Sequence, residues 1–264
     1  MSDASASEAA AGETARASAK RARRTGPREL AVHVSLRYRI LWTLDHAMVR
    51  LLFDVRPSGL DRWPVAPFCL VVNHHNGWDP MLVIAASPLE PRITWFGPKE
   101  ADFSRGFKNR VMRFFGGVIP YDPQKTTLTS AVRAVRRVFA AGGVLGIFAE
   151  GRVGFRETEL LDFEDGAVAF ASSAGVPIVP AAIVGSTFLW FRRRVEIRFG
   201  DPIPTADARG RQARQELEER LRGALGSLLP SSEPRLPRRR PMRFLGDLLT
   251  GNADLQRRRA ELGE

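Results

Sequence analysis

The chain has 264 residues, 44% of them hydrophobic, and a formal net charge of +11. That is enough apolar material for one domain with appendages, but no apolar run reaches the ~18 residues of a membrane span. A single cysteine, Cys69, excludes an intrachain disulfide and fits a reducing compartment. The polar, Ala/Ser-rich start has no apolar signal-peptide core, so a cytoplasmic location is expected. The positive balance, carried mostly by arginine, attracts polyanions. No zinc-ligand spacing or helix-turn-helix cue accompanies it, so the expected partner is an anionic membrane surface and not nucleic acid.

Residues 1–28 are low-complexity Ala, Ser and Arg and are expected to form a disordered basic segment. Residues 29–56 read as an N-terminal amphipathic helix. Leu36, Ile40, Leu44, Met48, Leu51 and Val55 recur at spacings of three and four, and Trp42, Val49 and Phe53 widen the apolar surface. A helix apolar over so much of its girth is either packed in a core or laid in a membrane interface, and the pattern leaves both open. Pro57, Gly59, Pro64 and Pro67 then mark a loop.

Phe68-Cys69-Leu70-Val71-Val72 reads as a buried strand. It runs into Asn73-His74-His75-Asn76-Gly77-Trp78-Asp79-Pro80, which delivers polar side chains to the rim of a sheet. Only four histidines occur in the chain, and two are adjacent here. A turn at Gly77 would fold the Asp79 carboxylate onto one nitrogen of His74. The other nitrogen would then be free to take a proton from an attacking hydroxyl. A helix follows through Met81-Leu82-Val83-Ile84-Ala85-Ala86, so Asp79 also stands where it would cap that helix.

Arg92-Ile93-Thr94-Trp95-Phe96 reads as a second strand, with Lys99 and Glu100 just beyond it. Residues 106–115 should be helical, followed by Gly116-Gly117-Val118-Ile119-Pro120-Tyr121-Asp122-Pro123. Residues 127–141 read as a surface helix carrying Arg133, Arg136 and Arg137. A buried strand over 143–148 leads into Ala149-Glu150-Gly151-Arg152. A small-residue helix over 166–175 precedes Val176-Pro177-Ile178-Val179-Pro180, and Glu196 to Ile203 is a late strand and turn. A charged amphipathic helix spans 207–228. The tail, 230–264, is rich in proline and arginine, with Arg238-Arg239-Arg240 ahead of a short apolar helix near 242–249. The alternation of strands and helices gives an α/β fold: a single domain with a mostly parallel or mixed central sheet flanked by helices.

Four of these stretches, in order, resemble the sequence blocks of the glycerolipid acyltransferases, the family that includes 1-acylglycerol-3-phosphate acyltransferase. They are Asn73-His74-x4-Asp79, the Gly-rich turn and strand at 116–123, Phe148-x-Glu150-Gly151, and Val176-Pro177-Ile178-Val179-Pro180. Lys99-Glu100 resembles the family's Lys-Glu pair, and Gly200-Asp201-Pro202-Ile203 its late turn. The chain departs from the pattern twice. Pro123 stands where the second block closes with an arginine, with Lys125 two residues later. Ala149 replaces a proline, and Arg152 comes one residue early, so that Val153 takes the usual arginine place.

The resemblance implies an acyltransferase domain over 29–229. It implies transfer of a fatty acyl group from acyl-CoA or acyl carrier protein, as co-substrate and without cofactor or metal, to a hydroxyl of a lysophospholipid or related lipid. His74 is the implied general base, Asp79 its orienting partner, and Lys99 a stabiliser of the thioester oxyanion. Asn73, Glu150, Gly151 and Arg152 are the implied substrate-binding residues, with Arg152 facing any anionic group of the acceptor. Because both phosphate-binding arginine positions are changed, an acceptor other than 1-acylglycerol-3-phosphate is expected unless Arg152 and Lys125 substitute. Peripheral attachment to the cytoplasmic face of the membrane is expected through residues 30–55 and 238–249. No Gly-x-Ser-x-Gly, His-Glu-x-x-His or Cys/His cluster supports a serine hydrolase or a metal enzyme. A catalytically silent lipid-binding or scaffold protein on the same fold is the alternative, against which the intact His74/Asp79 pair argues.

Overall fold

The computed structural model describes residues 34–98, 117–121, 128–249, 256, 257 and 260. These follow one another as α1 (Leu36–Leu52), β1 (Asp54–Ser58), β2 (Phe68–Val72), α2 (Asp79–Ala86), β3 (Ile93–Pro98), β4 (Val118–Tyr121), α3 (Leu128–Ala140), β5 (Val144–Phe148), α4 (Gly166–Ala174), β6 (Ile178–Val184), β7 (Arg194–Phe199), α5 (Arg211–Leu228) and the short α6 (Leu245–Leu248). Among the described residues the strands form a seven-stranded sheet ordered β1-β7-β6-β2-β5-β3-β4. All pairings are parallel except β6 with β7, so the sheet is mixed and mostly parallel.

β2 lies at the centre because every one of its residues is apolar and buried, the pattern of a strand covered on both faces. Its alternate side chains feed two cores. Phe68, Leu70 and Val72 join Leu82 and Val83 of α2 and Val49 and Phe53 from α1 and its end. Cys69 and Val71 join Ala131 and Val135 of α3, Ala167 and Val168 of α4, and Leu217, Leu221 and Leu225 of α5 on the other face. The crossover from β2 reaches β3 on one side, whereas the crossover from β5 returns to β6 on the other. The order therefore reverses between β2 and β5, whose register aligns Val72 with Phe148. In open α/β sheets the crevice at such a reversal, beyond the carboxyl ends of the strands, is where ligands bind.

Two features near the start differ from the sequence reading. The helix ends at Leu52, and Asp54–Ser58 is a strand that lay half in the expected helix and half in the expected loop. It tolerates Pro57 because it is an edge strand, with one side unpaired. The second difference concerns which face of α1 is inside. Tyr38, Leu41, Asp45 and Val49 are buried, while Leu36, Ile40, Leu44, Met48 and Leu51 point outward, Leu36 with 73% of its surface exposed. Ser35 caps the helix by accepting from the Tyr38 N–H at 3.3 Å. Among the described residues no helix is long and apolar enough to cross a membrane.

Candidate active site

The polar octet leaves the carboxyl end of β2 as a tight, almost wholly buried turn. Asp79 opens α2 and is fully buried. Its carboxylate does not cap that helix, whose N-cap is Trp78 without a side-chain bond. It points back along the chain instead. Oδ2 accepts from the His75 N–H at 2.6 Å, the Asn76 N–H at 2.8 Å and His74 Nδ1 at 2.9 Å. Burial pushes the Asp79 carboxyl up, but the hydrogen bond from His74, the two imidazoles and the His75 N–H outweigh it, so the group ends below the ordinary carboxylate range.

His74 is the open member of the turn. Its side chain keeps 19% of its surface exposed against none for Asp79. The ring stacks on Phe148 with centroids 4.1 Å apart, and Phe148 stacks in turn on Trp95 at 4.8 Å. With Nδ1 held by the carboxylate, Nε2 is the nitrogen left for a reacting group.

Asn73 is fully buried, and its amide extends the strand pairing beyond β2. Oδ1 accepts from the Ile183 N–H at 2.7 Å, and Nδ2 donates to the Ile183 carbonyl at 3.1 Å. Nδ2 also lies 2.8 Å from His75 Nε2, which makes that nitrogen the acceptor and places the His75 proton on Nδ1, 3.3 Å from the Gly154 carbonyl. Asn73 and His75 thus brace the turn from below.

The segment after β5 forms the facing wall. Glu150 is 2% exposed, and its Oε2 accepts from the Leu161 N–H at 3.4 Å. Its Oε1 is buried with no partner. Burial raises its carboxyl above the ordinary range against the opposing pull of His75, the Leu161 N–H and His74. Gly151 adopts φ +62, where a side chain would be strained and a Cβ would stand 2.8 Å from Glu164. The Gly154 N–H donates to the His74 carbonyl at 2.7 Å, which ties the two walls together. Glu150, Gly151 and Arg152 line a cleft of about 390 Å³ completed by Asp162, Phe163, Glu164 and Asp165. Arg152 is exposed there, while Val153 is buried.

The acyltransferase family model matches residues 54–184, from the start of β1 to the end of β6. The chain belongs to the acyltransferase family. It is 28% identical over 126 residues to a probable 1-acyl-sn-glycerol-3-phosphate acyltransferase of Mycoplasma genitalium. That match covers 47% of this chain and 46% of the relative, so it spans about half the length of each. The crystal structure of the 1-acyl-sn-glycerophosphate acyltransferase PlsC from Thermotoga maritima superposes with a TM-score of 0.58 at 16% identity. It covers 75% of this chain and 83% of that one, a likeness of fold.

Within the family frame, the structure brings His74, Asp79, Asn73 and Glu150 together at the ends of β2 and β5. Gly151 and Arg152 lie at the cleft that opens from Glu150. Lys99, with Pro123 and Lys125, lies outside the described residues. Among the described residues no cluster of His, Cys, Asp or Glu has the arrangement of a metal site. Sequence reasoning missed Glu157, whose Oε2 and Oε1 accept from the Gly185 and Thr187 N–H groups at 2.7 and 3.0 Å and fix the end of β6. It also missed Asn76 and Trp78 as structural members of the turn. No local signal marks Glu157 or the Trp78 indole, because their partners lie far along the chain, whereas Asn76 has a local partner in the Trp78 N–H besides its distant one.

Proposed function

We propose that the protein transfers a fatty acyl group from a thioester donor, acyl-CoA or acyl carrier protein, to the hydroxyl of a lysolipid or related lipid. The observation that carries this is His74, held at Nδ1 by a buried carboxylate that also accepts two backbone N–H groups. The acceptor hydroxyl gives its proton to Nε2 as its oxygen attacks the thioester carbonyl. The tetrahedral intermediate collapses with loss of the thiolate, which takes the proton back from His74. Asp79 keeps the ring in one tautomer and offsets its positive charge while the proton is held. Lys99 is assigned to the oxyanion.

Glu150, Gly151 and Arg152 form the acceptor side. Arg152 shares its cleft with Asp162, Glu164 and Asp165, a poor setting for a phosphate dianion. This supports an acceptor other than 1-acylglycerol-3-phosphate, in line with Val153 being buried in the usual arginine place. A thiol-release assay with one long-chain acyl-CoA and several competing lysolipids tests both points. The expected result is transfer, with 1-acylglycerol-3-phosphate not preferred. A clear preference for it, abolished by Arg152→Ala, would show that the arginine has shifted place. No transfer to any acceptor would leave the silent lipid-binding protein.

The outward ridge of α1, together with exposed Met242, Phe244 and Leu248 beside Arg238, Arg239, Arg240 and Arg243, fits the boundary of an anionic bilayer. Both belong to the layer built on the core that contains α2, since Val49 and Leu245 are buried in it. Flotation with anionic liposomes should weaken as salt is added. Equal binding to DNA with none to lipid would overturn this.

A further inference from the structure

The segment from residue 229 to 249 is outside the stretch that the family model matches, which ends at 184. It does not trail from α5 as a free tail. The Glu233 carboxylate accepts from the Glu157 and Thr158 N–H groups at 3.2 and 3.1 Å and from the Thr158 hydroxyl at 2.6 Å. Further on, the Pro241 carbonyl accepts from the Phe191 N–H at 2.9 Å. The segment then reaches the polar turn. The Leu245 carbonyl accepts from Trp78 Nε1 at 2.7 Å, and the Gly246 carbonyl accepts from Asn76 Nδ2 at 3.1 Å.

These carbonyls are available because α6 is only one turn long, and the carbonyls of a last turn have no amide of their own helix to bond. Leu245 anchors the arrangement. It is 4% exposed and packs in the core that holds Trp78, whose ring meets Phe53 edge-on at 5.2 Å. The two residues held by the strap flank Gly77. One of them, Asn76, donates its own N–H to Asp79 Oδ2 and accepts from the Trp78 N–H at 3.1 Å.

We propose that this C-terminal strap is a positioning element for the proton-transfer pair. Its two carbonyls hold Asn76 and Trp78 so that the turn closes with Asp79 Oδ2 against His74 Nδ1. The inference rests on the function proposed above for what the pair does, but not for how it is held. The physical reason is that the carboxylate gathers three donors on one oxygen, and small displacements of such a constellation are costly to rate. Residues more than 160 positions away in sequence supply the fixing bonds.

The test uses the full chain with Trp78→Phe, which keeps the ring and removes the Nε1–H, and with Leu245→Ala, which loosens the strap from its own side. Amide hydrogen exchange reads the turn directly, because the His75 and Asn76 N–H groups both donate to Asp79 Oδ2 within it. In both variants these two amides should exchange roughly tenfold faster, the factor carried by about one hydrogen bond. Amides of β2 and β6 away from the turn, such as Leu70 and Val179, should keep wild-type protection. Turnover should fall roughly tenfold, with KM within twofold of wild type. A uniform rise in exchange across the sheet would mean the strap only adds stability and would overturn the proposal. So would wild-type exchange at His75 and Asn76 in Trp78→Phe, or localised exchange with unchanged turnover. If the wild-type chain transfers no acyl group, the function reading fails, and the exchange pattern alone decides the strap.

Discussion

The turns that follow β2 and β5 face each other at the centre of the sheet, and each carries one buried carboxyl. They are built in opposite ways. Asp79 sits where three donors converge on one oxygen, and its carboxyl is drawn below the ordinary range despite complete burial. Each carboxyl keeps one buried oxygen without a close partner, Asp79 Oδ1 and Glu150 Oε1, but the other oxygen of Glu150 has only a long bond from the Leu161 N–H, and burial pushes its carboxyl up. The first arrangement keeps a negative charge fixed beside an imidazole. The second leaves a weakly held carboxyl on a residue that lines a cleft. Two carboxyls whose environments push them in opposite directions in this way are suited to different tasks in one site.

The largest expected effect breaks the first arrangement. His74→Ala removes the proposed base, and Asp79→Asn removes the charge proposed to orient it while keeping the shape of the side chain. Each should lower acyl transfer by at least roughly 100-fold with the protein still folded, measured as turnover beside circular dichroism. His75→Ala should cost less activity, because its Nε2 is engaged by Asn73 and its Nδ1 faces the Gly154 carbonyl. An inactive His75→Ala beside an active His74→Ala would reverse the assignment of the base.

The β2 turn was legible because its chemistry is local. His74 and Asp79 are five positions apart, and one turn, in which the Asn76 carbonyl accepts from the Asp79 N–H, brings them together. The α/β class and the mostly parallel or mixed sheet followed from buried β-branched runs separated by helices, whereas the strand order comes only from the structure. What stayed hidden needed distant contacts or a choice between equal faces. Trp78 and Asn76 carry no sign that their partners are at 245 and 246. The girth of α1 is apolar on several sides, so hydropathy did not say which stripe faces in. The answer includes Asp45, which is buried with an unpartnered oxygen and a carboxyl pushed up to about 8 by burial. A sequence rule that places charge outside points the wrong way there. Asn73 shows the same limit in reverse: a polar residue at a strand end reads as substrate-facing, yet its amide completes the pairing with Ile183.

A smaller effect sharpens the comparison through acid stability. The folded value of Asp79 lies below its unfolded value of about 3.9, so its contribution to stability is fully present above roughly pH 4. It is lost as pH falls through the lowered folded value. Urea denaturation of Asp79→Asn should therefore show a deficit against wild type of about 1–3 kcal/mol at pH 7, the range for a buried group that loses its partners. That deficit should shrink at the acid end. A deficit independent of pH would mean that shape, and not charge, holds the turn.

Glu150 gives the smallest effect, of opposite sign. Its folded value is raised above the unfolded value of about 4.3, so the folded state holds the proton more tightly than the unfolded chain. Stability from this group is then greatest below the unfolded value and declines as pH rises toward the folded one. Glu150→Gln keeps the size and the acceptor for the Leu161 N–H but cannot ionise. It should match wild type near pH 4 and exceed it at pH 8 by about 1 kcal/mol, the lower end of the cost of an unsatisfied buried group. Paired urea curves at the two pH values measure this. If Glu150→Gln is instead less stable at pH 8, the carboxylate is held by donors as Asp79 is, and the two walls of the crevice are alike. If the gain appears while affinity for the acceptor falls, the unpartnered oxygen is an acceptor kept open for a ligand at some expense to the fold, as residues at binding clefts commonly are.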